Sequence, residues 1–128
     1  MPTRRVIIDH LTIGSSDPEA SRRFYTEALA PLGFREIGPW SDARREISFG
    51  LDGANDFAIS DEYEAGGQLH IAFAAETREQ VDAFHLAALA AGGRDNGAPG
   101  PRPEYSEGYY GAFVLDPDGH NVEAVFHG

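Results

Sequence analysis

Polar and apolar positions alternate from Arg5 to Gly14. Ile7, Leu11 and Ile13 share a parity with Asp9, and Val6, Ile8, His10 and Thr12 hold the other. A period of two predicts a strand. The period then lengthens. Asp17 is a good helix N-cap, Pro18 suits the first helical position and Glu19 favours the positive helix end. Phe24, Tyr25, Ala28, Leu29 and Leu32 form a stripe at helical spacing, and Gly33 stops the helix. Further strands are expected at Phe34–Gly38, Glu46–Leu51 and Phe57–Ser60.

The same signals return. At an offset of 60, His10 maps to His70, Asp17 to Thr77, Phe24 to Phe84, Leu29 to Leu89 and Gly33 to Gly93. Thr77 and Gln80 form a capping box for a helix from about Arg78 to Ala91. At an offset of 66, Asp52-Gly53 maps to Asp118-Gly119, Ala58 to Ala124 and Ile59 to Val125. The extra six residues fit in the Gly- and Pro-rich stretch from Gly97 to Gly108. Strands follow at a short piece near Arg94, at Tyr109–Leu115 and at Asn121–Phe126, the last two joined by a tight Asp116-Pro117-Asp118-Gly119 turn. The pattern predicts an α+β fold in one domain, 1–128. Two βαβββ modules, 1–65 and 66–128, arise by internal duplication. The helix-facing sides of the modules pair, and the other faces form a cup-shaped mixed sheet.

Composition narrows the chemistry. The chain has no cysteine, which removes thiolate metal sites, disulfides and cysteine nucleophiles. All ten basic residues are arginine, which removes Schiff-base and lysine-base mechanisms. The net charge of −11 disfavours nucleic acid and anionic membranes as partners. No apolar run approaches the ~18 residues of a membrane span. No apolar leader precedes the first strand, so no signal peptide and a cytoplasmic location are expected.

His10, His70 and Glu123 share a feature that strand alternation exposes. Their neighbours at odd spacing are apolar: Ile7, Leu11 and Ile13 for His10; Leu69, Ile71 and Phe73 for His70; Val122, Ala124 and Phe126 for Glu123. If those neighbours face the helices, the three polar residues face the cup. Two histidines at equivalent positions and one carboxylate make a facial triad for a metal with open coordination positions. Ala72 and Ala74 leave room beside His70. Tyr109, Gly111 and Phe113 share a face of the neighbouring strand, with Tyr109 the candidate proton-moving group, and Tyr110 turns toward a helix. Tyr105, Trp40 and Phe49 are candidates to line the cup, and Arg44 or Arg45 to hold an anionic group. His85 is expected to pack in its helix, His120 to be solvent-exposed, and His127 to share Glu123's face.

The duplicated units, His10-Leu11-Thr12-Ile13, Phe24-Tyr25, Leu32-Gly33-Phe34 and the closing Asp116-Pro117-Asp118-Gly119-His120-Asn121-Val122-Glu123 resemble the vicinal-oxygen-chelate superfamily. That group holds glyoxalases, extradiol dioxygenases, fosfomycin-resistance transferases and bleomycin-binding proteins. The resemblance implies one divalent metal (Zn, Ni, Mn, Fe or Co) on His10, His70 and Glu123. It implies a small substrate that chelates the ion through adjacent oxygens, and a homodimer, with Phe57 or Tyr63 near the contact. Glu123 and Tyr109 would be catalytic. Phe57, Ala72, Gly111, Phe113 and Arg45 would line the substrate. The fourth ligand position of four-ligand members falls on Phe57 by the internal alignment, so three protein ligands are expected. The implied activity is that of a metal-dependent lyase, isomerase or dioxygenase. The alternative is a non-catalytic protein that binds an antibiotic or another small molecule.

Overall fold

Strand β1 (Leu11–Gly14) is followed by α1 (Pro18–Leu29), a 3-10 turn (Ala30–Leu32), and strands β2 (Arg35–Ser41), β3 (Glu46–Gly50) and β4 (Phe57–Ser60). The order then repeats as β5 (His70–Ala74), α2 (Arg78–Ala90), β6 (Arg94–Pro101), β7 (Tyr109–Leu115) and β8 (Asn121–His127). This is a computed structural model, which describes residues 8–43, 45–65 and 69–128. The duplication expected from the sequence is the architecture. Two four-stranded mixed sheets run β1-β4-β3-β2 and β5-β8-β7-β6, each with a parallel outer pair and two antiparallel pairs. Neither sheet closes on itself.

The helix ends form as their residues dictate. The Asp17 side chain accepts from the Ala20 amide at 3.3 Å, and Gly33 takes a left-handed φ of 91° that ends the 3-10 turn. In α2 the Thr77 hydroxyl accepts from the Gln80 amide at 3.1 Å, while the Gln80 side chain accepts from the Glu76 amide. The stripe Phe24, Tyr25, Ala28 and Leu29 of α1 is fully buried, as are Val81, Phe84 and Ala88 of α2.

Five strands differ from expectation. β2 runs from Arg35 to Ser41 instead of Phe34 to Gly38, and β3 stops at Gly50 instead of Leu51. The first strand was expected from Arg5. In the structure its ladder starts at Leu11, residues 8–10 carry no strand, and Val6 and Ile7 lie outside the described residues. The short piece near Arg94 is an eight-residue strand. Its register shifts twice, around Gly97 and Gly100, so a Gly- and Pro-rich stretch that reads as loop still pairs with Phe113 and Gly111. β8 reaches one residue further than expected, to His127.

One core joins both modules. It collects Ile13, Ile47, Phe49, Phe57 and Ile59 from the first sheet, and Phe73, Ala112, Val114, Val122 and Ala124 from the second, around the two helices. The helix-facing sides therefore meet, as the pattern predicted. Phe57 and Phe34 of the first module contact Phe73 of the second directly, with ring centroids 5.2 Å and 5.8 Å apart.

A polar clamp crosses the same boundary. The buried Asp116 carboxylate accepts from the amides of Asp118 and His120, both at 2.9 Å, and from the Tyr25 hydroxyl of α1 at 2.6 Å. Burial above all, then the Asp116 charge and hydrogen bond, hold the Tyr25 phenol well above its ordinary value. A folded-state value raised above the unfolded one gives stability that is complete below about pH 10 and is lost as pH rises beyond it. Urea unfolding is therefore expected to show stability falling above about pH 10. Tyr25→Phe should flatten that fall. At neutral pH the same variant should be weaker by about 1–3 kcal/mol, because it leaves a buried carboxylate oxygen without its donor.

Candidate metal and substrate site

The register of β5, β8 and β7 decides which side chains meet. Ala72 pairs with Glu123 across the parallel ladder, and Glu123 pairs with Phe113 across the antiparallel one. Alternation sends Val122, Ala124, Ala112, Val114 and Phe73 into the core. It leaves Glu123, Ala72, His70, Tyr109, Gly111 and Phe113 on the opposite face. Tyr110 turns the other way, as expected, and its hydroxyl donates to Asp82 of α2 at 2.7 Å.

On that face sits a compact polar group. Nε2 of His70 lies 3.1 Å from Oε1 of Glu123, with the His70 side chain 51% exposed and that of Glu123 2% exposed. Nδ1 of His70 is 3.2 Å from the backbone carbonyl of Asn121. A carbonyl can only accept, so Nδ1 carries a hydrogen, and Nε2 is the atom that faces Glu123, as the donor of an ion pair when the ring is protonated and as a lone pair open to a metal when it is not. The other Glu123 oxygen accepts from the Tyr109 hydroxyl. Burial first, then the Glu123 hydrogen bond and charge, push the Tyr109 phenol well above its ordinary value, with Arg102 opposing. Tyr109 is thus a protonated donor through the neutral range. Gly111 is needed beside it: a Cβ there would stand 3.0 Å from Oε2 of Glu123 and 3.2 Å from the Tyr109 ring. Phe113 stacks on His70 with ring centroids 6.2 Å apart, and Tyr105 and His127 each pack edge-on against Tyr109.

His10 stands apart. It precedes β1, is exposed, and bonds its neighbour Asp9 at 2.8 Å. It does not join His70 and Glu123 in a group whose ligand atoms lie within 4.8 Å of one another. Among the described residues, that condition is met by Asp116, Asp118 and His120, a donor set of the kind that could hold a metal ion. Sequence reasoning missed this group because His120 follows a turn and was expected at the surface. It is instead 3% exposed, and neither ring nitrogen has a hydrogen-bond partner. The oxygens beside it already work as the module clamp. Asp116 holds Tyr25 and two amides, and Asp118 accepts from the Ser16 amide and hydroxyl.

Other expected lining residues fall elsewhere. Phe49 is buried in the core, and Trp40 packs against that core, its ring indole N–H donating to Asp42 under the Arg22 guanidinium. Both lie on the helix side, and Phe49 also lines the cavity that reaches His70 and Ala72. Arg45, in the β2–β3 turn, has its Nε 3.9 Å from Asp61, and Arg44 lies outside the described residues. Phe57 is buried, but not where Glu123's counterpart belongs. Leu11 pairs with Phe57 while Ile71 pairs with Val122, so Phe57 matches Val122, and Ala58 occupies the position equivalent to Glu123. The offset of 66 aligned the two Asp-Gly turns, whereas the strands repeat one residue earlier. A one-residue slip exchanges the two faces. Phe57 does line a cavity of about 400 Å³, with Leu11, Phe34, Phe73, His70 and Ala72. His85 packs in α2 and bonds Asp95 at 3.0 Å.

A family model described as Glyoxalase/Bleomycin resistance protein/Dioxygenase superfamily matches residues 7–124. The chain belongs to that superfamily. It is 34% identical over 125 residues to the Bacillus subtilis uncharacterized protein YqjT, covering 91% of this chain and 95% of that one. It is 30% identical to a glyoxalase/bleomycin resistance protein from Albidiferax ferrireducens, with a TM-score of 0.74 and coverage of 96% and 100%. A lactoylglutathione lyase from Agrobacterium tumefaciens, 18% identical, shares the fold at a TM-score of 0.69 over 97% and 96% of the two chains. Among the described residues, no helix is long and apolar enough to cross a membrane.

The unpartnered His120 ring gives a stability prediction. Replacing a buried, unsatisfied polar ring with an apolar side chain of similar size removes a desolvation penalty. Urea unfolding in a chelator should show His120→Leu at least as stable as the wild type, by up to about 1–2 kcal/mol. A clear loss of stability would mean that His120 has a polar partner.

Proposed function

We propose that the chain is a divalent-metal-dependent enzyme of glyoxalase or dioxygenase type. It acts as a lyase, isomerase or dioxygenase on a small substrate bearing two adjacent oxygens. One observation carries this reading. Nε2 of His70 and Oε1 of Glu123 face each other at 3.1 Å, and with Nδ1 committed to a carbonyl Nε2 is the ring atom left to ligate. A cation between the two atoms stabilises the pair, and a metal ion can take the place of the proton of a charged imidazole. Ligands at about 2.0–2.2 Å and at right angles around an ion are about 3 Å apart, so the pair fits one edge of a metal's coordination shell. The carbonyl behind Nδ1 is the kind of support that orients a ligating imidazole. Zn, Ni, Mn, Fe and Co all suit this donor set.

When bound, the ion supplies an electrophile that polarises the substrate's vicinal oxygens. The chain supplies the rest. Glu123 provides a buried negative charge fixed at one oxygen by Tyr109. Tyr109, held protonated, gives a proton from its hydroxyl rather than taking one. Phe113 and Ala72 shape an apolar wall, and Gly111 keeps space at the carboxylate.

The third ligand in this proposal is His10 from a second copy of the chain, in a cytoplasmic homodimer. What supports it is the separation of His10 from His70 and Glu123 within one chain, and the open face on which the pair stands. In a two-fold dimer each site would take His10 from one copy, and His70 and Glu123 from the other.

Metal content after loading and gel filtration tests the reading. The wild type should retain one ion per chain, and Glu123→Gln or His70→Ala should lose it. Mixing His10→Ala with Glu123→Gln, after unfolding and refolding together, should restore about a quarter of the sites, because half the dimers pair unlike chains and each has one intact site. The double variant should restore none. Retention of metal by Glu123→Gln overturns the site. No recovery on mixing, or a monomer by sedimentation, overturns the shared ligand.

A further inference from the structure

A cation stands on the same face without an acidic partner. Arg102 begins the connection from β6 to β7. Its Nη1 donates to the carbonyls of Gly100 at 2.9 Å and Pro101 at 3.3 Å, and its Nη2 donates to that of Ala98 at 2.8 Å. Its own amide donates to the Tyr109 carbonyl at 2.8 Å, which ties the connection to the strand bearing the site. The guanidinium carbon lies 5.6 Å from the centre of the Phe113 ring, the ring that stacks on His70. Its field reaches the Tyr109 hydroxyl, where it favours the charged form.

Arg102 forms no ion pair among the described residues, although acids outnumber arginines 21 to 10 in the chain, and Glu104 and Glu107 sit in the same connection. Carbonyls fix the position of a guanidinium but do not neutralise it. Three of its five N–H donors are used, which leaves two for a ligand. Pro101 and Pro103 flank the residue and stiffen its backbone. The side chain is therefore held over the Phe113 ring, on the face that carries Tyr109, with its charge unspent.

We propose that Arg102 anchors an anionic group of the substrate, so that the substrate class is a small carboxylate that also carries vicinal oxygens. The placement of those oxygens rests on the metal reading above; the carboxylate contact does not.

Catechol and 3,4-dihydroxybenzoate test this, since both present vicinal oxygens and differ by one carboxylate. Each is titrated by calorimetry into Zn-loaded and metal-stripped protein. The wild type should prefer the carboxylate by about 10–100-fold, the range of a charge-assisted, two-point hydrogen bond. Arg102→Gln should bind the two within a few-fold, with catechol affinity unchanged, and Arg102→Lys should fall between. Circular dichroism checks that each variant folds; if Arg102→Gln does not, Arg102→Lys and the loss of preference at high salt carry the test. Equal affinity for the two probes in the wild type, or an undiminished preference in Arg102→Gln, overturns the anchor. Catechol binding that is indifferent to zinc overturns the metal reading instead. A carboxylate preference that survives stripping upholds Arg102 on its own.

Discussion

The buried carboxylate of Asp116 is the constraint on which the rest of this molecule depends. It closes the β7–β8 turn by accepting two amides from inside that turn, and it ties the turn to α1 through Tyr25. An acceptor-only group buried this deeply is stable only when its lone pairs are used. The turn and the module boundary therefore satisfy the same atom, and neither can shift without exposing a charge to an apolar core. The second consequence is phase. The turn fixes where β8 starts against β7, and strand alternation then sends Glu123 to the open face and Val122 and Ala124 to the core.

Glu123 is the less comfortable carboxylate. Its side chain is 2% exposed, it has no arginine partner, and the chain has no lysine to offer one. The Tyr109 hydroxyl satisfies one oxygen, and the other faces Nε2 of His70. A protonated His70 closes an ion pair there, and a metal would take the place of that proton, so the two compete for one position. Arg102 is held differently: neutral carbonyls fix it and leave its positive charge for an anion to meet.

Much of this was legible in the sequence, and the reason is periodicity. The duplication, the two helices with their caps, and the sharing of one face by His70, Tyr109, Gly111, Phe113 and Glu123 all follow from periods of 2 and 3.6 read against apolar neighbours. Legibility failed where period alone cannot set phase. Aligning Asp52-Gly53 with Asp118-Gly119 placed Phe57 opposite Glu123's position, while the ladders place Ala58 there. It failed for Trp40, whose large ring suggested a lined cup but whose parity points to α1. It failed for His120, because burial of a residue just after a turn depends on what another module lays over it. Arg102 was silent for a similar reason. Its signal is the absence of an acidic partner in space, and a sequence shows only the acids nearby along the chain.

Duplication followed by divergence explains why the two faces are chemically unequal. The ladders make His10 and His70 equivalent, yet Ala58 stands where Glu123 does, Ser48 where Phe113 does and Thr12 where Ala72 does. The first module has a histidine and an alanine at the carboxylate position. The second has both groups, with Tyr109 beside them. A histidine without a carboxylate neighbour makes a poor metal site on its own, and a histidine with one carboxylate leaves a coordination shell half empty. The two faces are therefore complementary rather than redundant. Because their helix sides are already spent on each other in one shared core, the two other faces point away from that core. The core contact of Phe57 with Phe73 would have to break before one chain could turn its own two faces together.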